Sequence, residues 1–244
     1  MSLLAKEDAD SLKQRFQEEL KGNVRIIVFI QNQDCKYCRE TAQIAREVAD
    51  LDSRISAEVY NMAESKEMAS KFGVELIPAT IIMGDADYRI RYYGIPSGHE
   101  FSTYIEDVVN VSKGDPNLSK ETLESLGKID NDVHMKIFVT PTCPYCPRMV
   151  LMAHQFAMAN DRIRSDMIEA VEFPQLARKY NVTGVPRTVV NETNMVVGLL
   201  PEKIFVEFLL NSIGKVERIS PRLEGALKMT ELEAVEYTEH QHEH

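Results

Sequence analysis

The chain has 244 residues, 44% apolar and 27% charged, with a formal net charge of −10. This is the composition of a globular protein of about two average domains, and its acidity excludes the basic face that nucleic acid or an anionic membrane surface requires. No run approaches the roughly 20 apolar residues of a membrane span, and the start Met1-Ser2-Leu3-Leu4-Ala5-Lys6-Glu7-Asp8 lacks the basic and apolar regions of a signal peptide, so a cytoplasmic location is expected.

From the N-terminus, Lys6 to Leu20 reads as a helix and Val24 to Ile30 as a strand. Cys35-Lys36-Tyr37-Cys38 follows, then an amphipathic helix with Ala42, Ala45, Val48 and Leu51 on one face. A third segment runs to Pro78, and Ala79 to Met83 is an apolar strand. Gly94 ends a further strand before a helix from Phe101 to Val111. The turn-rich stretch Ser112-Lys113-Gly114-Asp115-Pro116-Asn117 is the join, short enough for two units to pack closely. Ser119 to Leu126 reads as a helix with Ser119 as N-cap and Glu121 in its first turn; Thr122, three residues on, rules out a capping box. Met135 to Val139 is a strand, followed by Cys143-Pro144-Tyr145-Cys146 and a helix carrying Met149, Val150, Leu151, Met152, Phe156 and Met158. This methionine cluster reads as helix core. Thr188 to Val190, Gly198 and Ile204 to Ile213 repeat the last three elements, and a helical extension follows. The acidic end with His240, His242 and His244 reads as a solvated tail in preference to a metal site.

The order repeats because the sequence does. A shift of 108 residues carries Cys35 onto Cys143, Cys38 onto Cys146, Phe72 onto Tyr180, Val74 onto Val182 and Pro78 onto Pro186. Both C-x-x-C to Pro intervals are 43 residues. The division is therefore a first unit over 1–113, a second over 114–215 and an extension over 216–244. Alternating strand and helix point to an α/β fold.

All four cysteines lie in the two motifs, so none remains for a structural bridge. Two cysteines three positions apart at a helix start suit thiol–disulfide exchange. Unpaired backbone N–H groups and the helix dipole favour the thiolate of the first, and the second lies one turn on to release the mixed disulfide. Cys35 and Cys143 are thus the expected nucleophiles, with Cys38 and Cys146 as resolving thiols. Pro144 and Pro147 are expected in a first turn, where a missing N–H has no partner to lose. Asp34 and Lys36 offset one another at Cys35, while Thr142 and Pro144 are neutral neighbours of Cys143, so the two sites are expected to differ in potential. Tyr37 and Tyr145 are expected to tune potential and touch substrate. His99, His134 and His154 stand beside no cysteine in sequence and read as core or surface residues.

A strand, a C-x-x-C at a helix start and an apolar residue before Pro opening the next strand resemble thioredoxin, and Cys-Pro-Tyr-Cys resembles glutaredoxin. Two such units in one chain resemble the glutaredoxin-like protein disulfide oxidoreductases of thermophilic archaea and bacteria, over about residues 5–215. The resemblance implies two tandem thioredoxin-like units, each a central mixed β-sheet flanked by helices. It also implies cis-prolines at Pro78 and Pro186 after Ile77 and Val185, facing the active sites and exposing backbone groups to a substrate strand. Implied substrates are protein disulfides, and the implied electron donor is an NADPH-dependent thioredoxin reductase. No cofactor beyond the pairs Cys35–Cys38 and Cys143–Cys146 is required. Thioredoxin's buried acid would fall at Phe29 and Ile137, so Glu58 and Asp166, each 20 residues before its proline, are candidate proton acceptors, though exposed strand ends are the preferred reading. The glutathione segment of glutaredoxins has no counterpart, Val197-Gly198-Leu199-Leu200 standing in its place. Two alternatives remain. One is an electron-transfer module like the N-terminal part of the alkyl hydroperoxide reductase flavoprotein, in which one motif survives. The other is a four-cysteine zinc site, for which the 104 residues between the pairs are far too many.

Overall fold

The computed structural model describes residues 2–228; the histidines and acids of the tail lie outside them. The first unit runs α1 (Lys6–Glu19), β1 (Val24–Ile30), α2 (Cys38–Ala49), β2 (Ile55–Asn61), α3 (Lys66–Lys71), β3 (Ala79–Met83), β4 (Ile90–Tyr93) and α4 (Glu100–Lys113). The second runs α5 (Lys120–Leu126), β5 (Val133–Val139), α6 (Cys146–Ala159), β6 (Ile163–Glu169), α7 (Pro174–Lys179), β7 (Arg187–Val190), β8 (Asn194–Val197) and α8 (Glu202–Ser212), and α9 (Pro221–Lys228) follows.

β1, Val-Arg-Ile-Ile-Val-Phe-Ile, is apolar on both faces because both are covered. Ile26 and Val28 meet Ala42, Ala45 and Val48 of α2 in one core. Ile27 and Phe29 meet Ala69 and Phe72 in the other, on the side of α3. α4 ends at Gly114, whose left-handed φ of 62° closes the last turn. The connection to α5 therefore starts two residues later than the sequence suggests, and Ser119 caps α5 through the Thr122 N–H at 3.2 Å.

The eight strands form one mixed sheet in the order β2-β1-β3-β4-β6-β5-β7-β8. Each unit contributes four strands in the same order, and the second follows the first by translation. The join is a parallel ladder, with Ile90, Arg91, Tyr92 and Tyr93 of β4 opposite Ser165, Asp166, Met167 and Ile168 of β6. Sequence reasoning expects two packed units; the structure fuses their sheets. The polar strand β6 becomes interior, so its charges need partners. Asp166, 1% exposed, is bound by Arg164 and by His134 at 2.5 Å. Arg164 also donates to the Tyr93 hydroxyl across the join at 2.9 Å.

Helices α4 and α6 seal the same join on one face around a buried polar cluster. Asp107 of α4 bonds His154 of α6 at 2.5 Å and accepts the Tyr92 hydroxyl, and all three side chains are fully buried. Removing one member of such a pair leaves the other uncompensated in a dry interface. Asp107→Ala is expected to cost about 3–5 kcal/mol of unfolding free energy, measured by denaturant titration.

Candidate functional site

The two motifs occupy equivalent places at the C-terminal ends of β1 and β5, which point the same way in the sheet. Cys35 is bonded to Cys38, and Cys143 to Cys146, with Cα separations of 5.6 and 5.5 Å. Each helix begins at the second cysteine, with Tyr37 or Tyr145 as N-cap. The leading sulfurs thus lie just off the helix ends. The Cys146 N–H, the first of α6, reaches the Cys143 sulfur at 3.1 Å, placing an unpaired helix-end donor where a thiolate would form. Pro147 stands inside the first turn, whereas Pro144 lies ahead of the cap and outside the helix. In site 1 the Gln31 N–H reaches the Cys38 sulfur at 3.3 Å.

The sites differ in access. Cys35 is half-buried, and Asp34 beside it adopts φ 54°; Cys143 is 7% exposed. Cys38 and Cys146 are buried at both. The Ile77–Pro78 and Val185–Pro186 bonds are cis. The Val185 carbonyl oxygen lies 3.7 Å from the Cys143 sulfur, so the proline loop faces the disulfide. Behind each proline its carbonyl accepts from Gly94 or Gly198, tying the loop to β4 or β8. Lys36 lies over the Tyr37 ring at 4.8 Å.

Glu58 and Asp166 are not brought to the cysteines. Glu58 stands opposite Ile27 and Asp166 opposite Lys136. Paired residues share a face, here the one covered by α3 and α7, while α2 and α6 with the resolving cysteines lie on the other. Arg25 and the Tyr60 hydroxyl hold Glu58 below its usual carboxylate range. Burial pushes Asp166 up, yet His134 and Arg164 together bring it below its ordinary value. Both are standing anions in structural ion pairs, and Asp166 is a fully buried mid-strand residue instead of the expected exposed strand end.

A different acid lies on the helix that packs against site 2. Glu100 opens α4, one residue ahead of the start expected from sequence, and is 1% exposed with neither carboxylate oxygen hydrogen-bonded. Its neighbours on α4 touch the second motif on both sides. The His99 N–H donates to the Pro141 carbonyl at 3.2 Å, and the Thr103 hydroxyl to the Pro147 carbonyl at 3.1 Å. Burial, with the nearby charge of Asp107, pushes the Glu100 carboxyl up to about 8. The acid comes from the first unit, on a helix that packs against the second unit's motif, so intervals measured within one repeat miss it. The available signal was an acid at the start of the first unit's last helix, which reads as ordinary dipole compensation.

Close approach of α4 to this loop needs Gly98. Its φ is +62°, and a Cβ there would stand 2.4 Å from the Pro141 carbonyl oxygen. Gly98→Ala is expected to cost about 1–3 kcal/mol and to slow site 2 while sparing site 1, read by thermal unfolding and single-site turnover.

From β1 to β5 the sheet takes four steps, roughly 19 Å at the usual strand spacing. The two pairs therefore cannot join in one tetrahedral zinc site, and the described residues hold no cluster of three or more metal-ligating side chains.

Two C-x-x-C disulfides, each at a helix start beside a cis-proline on a mixed sheet, define a thioredoxin-fold protein with tandem redox pairs. The thioredoxin domain family matches residues 24–106 and 133–211, and the chain belongs to it. A protein disulfide oxidoreductase from Aeropyrum pernix K1 superposes with a TM-score of 0.80 at 27% identity, over 88% of this chain and 96% of that one. The NTD_N/C domain of the alkylhydroperoxide reductase of Enterococcus faecalis (V583) shares the fold, with a TM-score of 0.78 at 23% identity over 84% of this chain and 99% of that one. In sequence, an alkyl hydroperoxide reductase polypeptide of Staphylococcus aureus (strain NCTC 8325 / PS 47) is 24% identical over 174 residues, 71% of this chain and 31% of that polypeptide. An NADH dehydrogenase of Bacillus subtilis (strain 168) is 25% identical over 153 residues, 63% of this chain and 28% of that protein. The chain thus spans about a third of the length of these curated relatives. No helix among the described residues is long and apolar enough to cross a membrane.

Proposed function

We propose that the chain is a protein-disulfide oxidoreductase working by dithiol–disulfide exchange at two sites. The observation that carries this is the pairing, twice over, of a helix-end C-x-x-C with a cis-proline loop. In the reductive direction the Cys35 or Cys143 thiolate attacks one sulfur of a substrate disulfide, forming a mixed disulfide and releasing the other sulfur as a thiolate. Cys38 or Cys146 then attacks the leading sulfur and frees the second substrate thiol. Two electrons pass to the substrate, and the motif is left as a disulfide for an external dithiol to reduce. Ile77 and Val185, with the prolines and Tyr37 or Tyr145, form the surface on which a substrate strand lies.

At site 2 the resolving Cys146 is fully buried and must shed its proton to react. Glu100, buried on the helix whose N-terminal end is tied to Pro141 and Pro147, is the acid we assign to take it, and its raised proton affinity suits proton exchange near neutral pH. The functional division is 1–113 and 114–215, with 216–244 as an extension. The longer relatives support a second reading within the same chemistry, in which the chain relays electrons between a pyridine-nucleotide-dependent reductase, such as a thioredoxin reductase, and a downstream disulfide. The test is reduction of insulin by dithiothreitol. Acceleration over dithiothreitol alone is expected, and its absence under conditions where both motifs cycle overturns the protein-substrate reading.

A further inference from the structure

We infer that site 1 carries a side-chain subsite built by both units, which accepts an apolar side chain of a polypeptide about two residues from the cysteine being attacked. This rests on the protein-disulfide reading and adds a specificity to it. An open groove of about 460 Å³ lies between Leu76 of the first unit and Phe173, Pro174, Leu176 and Lys179 of the second. Leu76 stands two residues ahead of cis-Pro78, in the loop that opens β3 opposite the end of β1, from which the first motif follows. A substrate strand laid along that loop with its sulfur at Cys35 passes Leu76 two residues later. Alternate side chains of a strand point the same way, so the side chain at that spacing is turned toward the groove.

The chemistry of the walls favours an apolar occupant. The charged groups at the rim are already engaged: Glu172 accepts the Ile95 N–H at 2.7 Å, and the Lys179 ammonium bonds Glu192 at 2.9 Å and the Tyr180 hydroxyl at 3.0 Å. What remains is Leu76, Phe173, Pro174 and Leu176, with the exposed amide of Gln175 beside them. The continuity of the groove with the proline loop identifies the occupant as the chain being reduced, because that chain is already fixed at Cys35. The subsite belongs to site 1 alone. Shifting Leu76 by the repeat of 108 leads to Gly184, which has no side chain to form the corresponding wall.

The test uses the full chain with Cys143→Ser and Cys146→Ser, reduced beforehand and in excess over substrate. Two peptides, each with a central cysteine in mixed disulfide with thionitrobenzoate, carry either leucine or serine two positions to both sides of it. Attack by Cys35 on the peptide sulfur releases thionitrobenzoate, and Cys38 then releases the peptide as a thiol while the motif becomes a disulfide. The leucine peptide is expected to react with about tenfold higher kcat/KM, the size of effect one buried aliphatic side chain produces. Leu176→Gln should bring that ratio close to one. In the converse protein, with Cys35→Ser and Cys38→Ser, the ratio should be close to one without further change. Equal rates for the two peptides at site 1 overturn the subsite, and since both are measured on one protein, misfolding cannot mimic that result. An equal preference at both sites overturns its two-unit origin. Failure of both peptides while dithiobis(nitrobenzoate) still reacts counts against the protein-disulfide reading itself.

Discussion

Cys35→Ser/Cys143→Ser protein is expected to show no insulin reduction above dithiothreitol alone, a loss of about three orders of magnitude or more relative to wild type. A serine hydroxyl is no substitute for a thiolate in disulfide exchange, because neither a mixed disulfide nor its resolution is available to oxygen. The single variants are more informative than the double. With the two disulfides roughly 19 Å apart along the sheet, no sulfur reaches from one site to the other. Each single variant should therefore retain the rate of the remaining site, and the two rates should sum to that of wild type. If either single variant loses everything, the sites act in series through a moving element and are not independent. Accessibility also orders their reactivity toward reagents: after reduction, the half-buried Cys35 should alkylate before the 7%-exposed Cys143.

Glu100→Gln should separate activity from stability in opposite directions. Measured in a Cys35→Ser background, turnover at site 2 should rise in wild type as Glu100 ionises near pH 8. The glutamine variant should lack that rise and be slower by about 100-fold at pH 8–9, the usual worth of a positioned proton acceptor. Stability moves the other way. The folded protein holds the Glu100 proton until about pH 8, whereas the unfolded chain releases it near the ordinary 4.5. The folded state thus binds more protons between those values, and the wild type loses stability as pH rises through that window. Glutamine removes the titration, so the variant should match wild type near pH 4 and exceed it by roughly 3–5 kcal/mol at pH 8 and above. Denaturant titrations at the two pH values measure this. A variant that is stabilised but turns over normally would reduce Glu100 to a structural residue.

Much of the fold was legible because the chemistry of each repeat is local. C-x-x-C, the proline 43 residues on and the apolar runs around them all act within one unit, so spacing alone recovers them. β2 and β6 were harder to see. Ile163–Glu169 carries Arg164, Ser165, Asp166 and Glu169, a pattern that reads as surface until β4 is known to pair with it and His134 to neutralise it. Glu58 and Asp166 were singled out by matched position, yet position along a strand does not tell which face a residue serves, and both serve the face away from the cysteine helices. Glu100 escaped notice for the complementary reason: its partner surface lies in the other repeat. What one unit contributes to the other cannot be read from the pattern the two share.

The placement of α9 echoes that of α6. α6 packs on α4 and β4 at the internal join, and α9 packs on their counterparts α8 and β8, burying Leu223 and Ala226, with Ser220 bonded to Glu207 of α8 at 2.7 Å. Units added by translation form an open ladder with no symmetry to close it. α9 thus covers the outer face of α8 and β8 much as α6 covers that of α4 and β4, so the apolar side of the second repeat is not left bare.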